Sequence, residues 1–142
     1  MKKVKDITRM VRLFFRLVYE MLRNYPRLNG DLDNNFQICR TICQKIMRSA
    51  KIQLEVLWKE CVPDGEPFLV VSNHRCFFDV LFLISSVEHP VRFVAAKELL
   101  SYPILRKYLK ALQCVMIDRY TKDLTKIRES IVQIRDTLQD TN

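Results

Sequence analysis

Apolar positions in the first third of the chain recur at helical spacing. Ile7, Met10, Val11, Leu13, Phe14, Phe15, Leu17, Val18, Met21 and Leu22 leave a broad apolar face, which predicts an amphipathic helix from Ile7 to Leu22. Lys2, Lys5, Arg9, Arg12, Arg16 and Arg23 fall within roughly 80° of its circumference. Asn24-Tyr25-Pro26-Arg27-Leu28-Asn29-Gly30-Asp31 is rich in turn formers and breaks the pattern. A second helix is expected from Asn34 to Ala50, its apolar stripe carrying Cys39, Ile42, Cys43, Ile46, Met47 and Ala50.

Beyond residue 50 the period changes. Ile52 to Trp58 alternates apolar and polar residues like a half-exposed strand, and Phe68-Leu69-Val70-Val71 reads as a short buried one. A helix follows over Phe77–Ser86, then a strand over Val91–Ala95. Lys97–Leu112 is helical, with Pro103 starting a fresh turn. Val115-Met116-Ile117 is a fourth strand, and Leu124, Ile127, Ile131, Ile134 and Leu138 mark a last helix. Strands alternating with helices predict an α/β fold, a sheet with flanking helices behind an amino-terminal two-helix segment.

Charge adds to this picture at one end only. Of a formal net charge of +8, most lies in the first thirty residues, where eight Lys and Arg face only Asp6 and Glu20. A concentrated cationic segment favours an anionic partner. Its backing by a broad apolar face, rather than by stacking aromatics on a sheet, argues for a phospholipid surface over nucleic acid. The same pattern also describes a helix packed on a core with a solvated basic edge. No apolar run is long enough to span a bilayer, and arginines interrupt any signal-peptide core. Five cysteines, an odd number without a CxxC pair, read as free thiols in a reducing compartment. A zinc site from Cys61, His74 and Cys76 lacks ligand spacing, so no metal is expected.

The chemistry concentrates in Ser72-Asn73-His74-Arg75-Cys76-Phe77-Phe78-Asp79. His74 falls at a turn before a helix and Asp79 in that helix's first turn, where its carboxylate can reach back to the imidazole. Such a pair fixes the ring tautomer and raises its basicity. Lys97 and Asp118-Arg119 follow the third and fourth expected strands, at the carboxyl ends where ligands gather in open α/β sheets. The plainer readings are a first-turn aspartate favoured by the helix dipole, a solvated Lys97, and Arg119 paired with Asp118 or Asp123. His89, before Pro90 in a polar turn, reads as inert.

Leu69-Val70-Val71-Ser72-Asn73-His74 with Asp79 resembles the first signature motif of the glycerolipid acyltransferases, in particular of the 1-acyl-sn-glycerol-3-phosphate (lysophosphatidic acid) group. Phe93-Val94-Ala95-Ala96-Lys97-Glu98-Leu99-Leu100 resembles the segment before the second motif, and Val115-Met116-Ile117-Asp118-Arg119 is similar to that motif. The resemblance is best from about Ile52 to Leu138. It implies transfer of a fatty acyl group from acyl-CoA or acyl-ACP to the hydroxyl of a lysophospholipid, as in phospholipid biosynthesis, without metal or bound cofactor. His74 would be the general base, Asp79 its partner, and Arg119 and Lys97 the phosphate ligands.

The resemblance also implies a peripheral position on the cytoplasmic face of a membrane rich in anionic phospholipid. Residues 1–50 would be an amphipathic membrane-associating segment and residues 51–142 an acyltransferase α/β domain. Arg75-Cys76 and Gln113 depart from the family, which has a small polar residue and a glycine at those places. A further strand and a Glu-Gly-Thr-Arg motif would follow the last helix, but the sequence reaches Asn142 about where that strand should begin. The expectation is a truncated domain, with a non-catalytic membrane-surface fragment as the alternative.

Overall fold

Lys2–Asn24 forms one long helix, α1, and Leu32–Ala50 a second, α2. They belong to a computed structural model that describes residues 2–57, 68–73, 76, 78–121 and 123–139. The chain folds as two contact units, one of Met1–Glu55 with Cys76–Val91 and one of Val56–Arg75 with Arg92–Asn142.

In the first unit α2 is the central element. It packs against α1 on one side and on the other against α3, Phe78–Ser86. Being covered from two sides, its apolar stripe is buried throughout, with Phe36 at 0 % exposure beside Cys39, Ile42, Cys43, Ile46 and Met47. Each buried Phe, Ile or Met side chain of this kind contributes about 1.5–3 kcal/mol. Among the α1 residues whose burial is described, Leu13 and Leu17, with Glu20 and Asn24, are buried. Glu20 is held there by Lys45 of α2, Oε2 to Nζ at 3.1 Å, and Arg9 donates to the Ala50 carbonyl at the end of α2. A 3-10 turn at Tyr25–Arg27 ends α1, and an asparagine clamp closes the hairpin. Asn35, 1 % exposed, donates to the Asn29 carbonyl at 2.9 Å and accepts from the Asn29 N–H at 3.1 Å. Asp31 caps α2 by accepting from the Asp33 N–H.

The second unit contains a strand–helix–strand crossover. β1, Val94–Ala96, leads through a 3-10 turn at Lys97–Ser101 into α4, Pro103–Ala111, and then to β2, Val115–Ile117. Pro103 sits in the first turn of α4, where its missing N–H costs nothing. The two strands pair in parallel, Val94 with Val115 and Ala96 with Ile117. Tyr108, Leu109, Leu112 and Val115 are buried in this unit. The last helix, α5, spans Leu124–Gln139 and packs on β2.

Two expected strands are not formed. Residues 52–57 and 68–73 have no regular structure and are exposed, Val71 at 86 %; Trp58 lies outside the described residues. Alternating or continuous apolar residues specify a strand only when a neighbour takes up its backbone groups and a face to bury its side chains. Among the described residues the sheet is β1 and β2 alone, so neither segment has either. The fold class is nonetheless α/β, mostly helical around a small parallel sheet.

Both α2 and α4 end in a left-handed residue that is not glycine. Lys51 (φ 57°) closes α2, with Lys51 N–H on Arg48 O and Ile52 N–H on Met47 O. Gln113 (φ 51°) closes α4, with Gln113 N–H on Lys110 O and Cys114 N–H on Leu109 O. These are Schellman pairs, and a side chain in that backbone region is strained. Gln113→Gly, at the position where the sequence resemblance places a glycine, is expected to raise stability by about 0.5–1 kcal/mol in urea denaturation. A loss of stability would show that the Gln113 side chain contributes more than the strain costs.

Candidate functional site

Asp79 lies in the first turn of α3, half-buried, and both of its carboxylate oxygens are engaged by Cys76. Oδ2 accepts from the Cys76 N–H at 2.8 Å and Oδ1 from the Cys76 thiol at 3.3 Å, while the Asp79 N–H donates to the Cys76 carbonyl at 3.1 Å. The three-residue spacing is that of one half of a capping box, the carboxylate reaching back to the N–H of the residue at the helix entrance. The first-turn role weighed in the sequence is thus real, and a carboxylate there also meets the positive end of the helix. His74, Arg75 and Phe77 lie outside the described residues. The sequence flagged Cys76 only as a departure and a doubtful zinc ligand; its place three residues before Asp79 was the available signal for this contact.

In the other unit, Lys97 and Arg119 stand beyond the carboxyl ends of the paired strands. Ala96 and Ile117 form the last rung of the ladder, so Lys97 and Asp118 are the first residues past the end of each strand. Lys97 is exposed at the start of its 3-10 turn. Asp118 Oδ1 accepts from the Tyr120 N–H at 3.1 Å, a tight turn that carries Arg119 out to solvent. The Arg119 guanidinium lies over the Tyr120 ring, 5.2 Å from its centroid, and donates to its hydroxyl at 3.3 Å. It makes no ion pair with Asp118 or Asp123, so among the described residues its charge is not neutralised. A planar cation held by an aromatic face suits a doubly bonded phosphate. Among the described residues no group of three or more His, Cys, Asp and Glu side chains could hold a metal ion.

An acyltransferase family model matches residues 53–141. The chain belongs to the acyltransferase family. The matched segment carries His74, Asp79, Lys97 and Arg119 and supports acyl transfer as the general activity. No curated protein and no solved structure matches the chain.

The face of α1 turned away from α2 is a second feature with functional weight. Ile7, Met10, Val11, Phe14, Phe15 and Leu22 are 47–65 % exposed and fall in one sector of roughly 140°. Exposed Arg12, Arg16 and Arg23 border that sector. A contiguous apolar surface of this kind on a folded unit marks an interaction site. No helix among the described residues is long and apolar enough to cross a membrane.

The cysteines divide by environment. Burial pushes the Cys43 thiol up to about 12 from the ordinary 9.0, against a smaller opposing effect of a backbone hydrogen bond, and it raises Cys114 likewise. Cys76 is exposed. Ellman's reagent at pH 8 is therefore expected to modify Cys76 in the native protein and Cys43 only after unfolding. Because the raised group is an acid stabilised in its protonated form, its contribution is complete below pH 9.0. Above pH 9.0 the unfolded thiol ionises first, and stability falls by up to about 1.4 kcal/mol per pH unit until the native thiol also ionises. Denaturation midpoints that do not fall between pH 9 and 11, with a Cys43→Ala control, would contradict this.

Proposed function

We propose that this acyltransferase moves a fatty acyl group from acyl-CoA or acyl-ACP to the free hydroxyl of lysophosphatidic acid or a related lysophospholipid, working on a membrane surface. The family match across residues 53–141, which spans the His74-x4-Asp79 and Asp118-Arg119 motifs, carries the reading. In it, His74 takes the proton of the acceptor hydroxyl as its oxygen attacks the thioester carbonyl. Asp79 orients the imidazole and stabilises the imidazolium. The carbon–sulfur bond then breaks, and the departing thiolate receives the proton. Arg119 and Lys97 bind the acceptor's phosphate, Arg119 through paired N–H donors and Lys97 as a point charge. No metal and no bound cofactor enters the reaction.

The α1 surface supports the membrane part of the proposal. Its apolar sector enters the acyl-chain boundary, and the bordering arginines reach anionic phospholipid headgroups at the cytoplasmic face. The lipid acceptor is then drawn from the leaflet on which the protein rests.

Purified protein incubated with acyl-CoA and lysophosphatidic acid tests the transfer. Phosphatidic acid should form above a His74→Ala control, and its absence rejects catalysis by this chain. Co-sedimentation with vesicles containing phosphatidylglycerol tests the surface: protein left in the supernatant rejects the membrane role. Pelleting without turnover favours the second reading, a membrane-surface module without catalytic activity, to which the same exposed α1 sector points.

A further inference from the structure

We propose that Cys76 is a positioning residue that fixes the plane of the Asp79 carboxylate. The inference rests on the reading of His74 and Asp79 as a base and its partner, and extends it to a residue with no role in that reading. A single hydrogen bond to one oxygen leaves a carboxylate free to swing about that contact. Here residue 76 supplies a donor to each oxygen, the N–H to Oδ2 at 2.8 Å and the thiol to Oδ1 at 3.3 Å, and the two together define the plane.

The environment of the thiol points the same way. Cys39 and Cys43 are buried and fill the α2 interface, whereas Cys76 is exposed, so packing does not account for it. Nor does capping, because the backbone N–H satisfies that contact whatever side chain residue 76 carries. What the thiol adds is orientation of a charged acceptor, at the weight of a weak donor.

Two readouts on Cys76→Ala and Cys76→Ser decide the matter, with thermal melts confirming that both fold. The first is the pH titration of the Asp79 side-chain carboxyl ¹³C resonance. Removing a donor to the charged form moves that titration to higher pH, so Cys76→Ala should shift upward and Cys76→Ser, whose hydroxyl still donates, should stay near the native curve. The second is turnover with lysophosphatidic acid. Cys76→Ala should lower kcat about fivefold, the weight of one weak hydrogen bond, with KM for the acceptor unchanged and serine restoring most of the loss. An unshifted carboxyl in Cys76→Ala overturns the proposal, as does a shifted one with unchanged kcat, or a serine variant no better than alanine. A native protein that transfers no acyl group refutes the functional reading by itself, and the carboxyl titration still scores the thiol contact.

Discussion

Asp79→Asn is expected to lower kcat for acyl transfer by about 10²–10⁴-fold while leaving the protein folded. Asparagine has nearly the shape of aspartate, and its amide oxygen can still accept from the Cys76 N–H, so the entrance to α3 survives. What disappears is the charge. Its loss at a helix N-terminus costs about 0.3–1 kcal/mol, too little to unfold the first unit. In the proposed mechanism, by contrast, the imidazolium formed during proton abstraction would lose its counter-charge, and the ring the acceptor assigned to fix its tautomer. KM for the acceptor should change little, since the proposed phosphate ligands Lys97 and Arg119 are untouched. Steady-state kinetics beside a thermal melt separates the two effects. Native kcat in Asp79→Asn would remove the aspartate from the reaction and leave it as a helix cap.

The largest effect on stability is expected at Phe36. This ring has no exposed surface and sits in the second turn of α2, the helix packed by both α1 and α3. Phe36→Ala removes the apolar contacts of the ring and leaves a cavity that the flanking helices can only partly fill. The expected loss is about 3–5 kcal/mol in urea denaturation, a large share of the 5–15 kcal/mol typical of a whole domain. Phe15→Ala is the control. Phe15 is 65 % exposed on α1, and its removal should change stability by no more than about 0.5 kcal/mol. The order should reverse for vesicle binding, where Phe15→Ala weakens association. Equal stability losses at the two positions would mean that α1 buries its outer face after all.

Much of this architecture is legible from spacing. The apolar stripe read for α2 names its buried residues from Cys39 to Ala50, because the helix is covered on both sides, but it misses Phe36 and Asn35 in the opening turns. For α1 the same reasoning gives a broad apolar arc but not which part faces α2. Leu13 and Leu17 occupy that contact, beside Glu20 and Asn24 rather than beside the phenylalanines, because Lys45 and Ala50 on α2 offer polar partners there. Pro103 does begin a fresh helix, and β2 lies at Val115–Ile117 as the apolar triplet suggests. Residues 52–57 and 68–73 read as strands from periodicity and form none, since pairing is decided by distant neighbours that a local pattern does not reveal.

The candidate site divides in the same way. The first-turn position of Asp79 and the strand-end positions of Lys97 and Arg119 follow from element boundaries, which local signals give. The grip of Cys76 on Asp79 depends on the path of the chain into α3. So does the stacking of Arg119 on Tyr120, which depends on the Asp118 turn. Side-chain geometry of that kind has no period to read.

One feature of the first unit reaches further than packing. The helix bearing Asp79 lies within the family-matched segment, yet it is fastened to α2, and α2 to α1. Gln37 adds a tie by donating to the Glu88 carbonyl just past the end of α3. A lipid leaflet that takes up the outer side of α1 would therefore set the height of that carboxylate above the headgroups through direct helix-to-helix packing. Lengthening or tilting α1 would then act as a vertical adjustment of the chemistry, felt most by acceptors whose hydroxyl sits at a fixed depth.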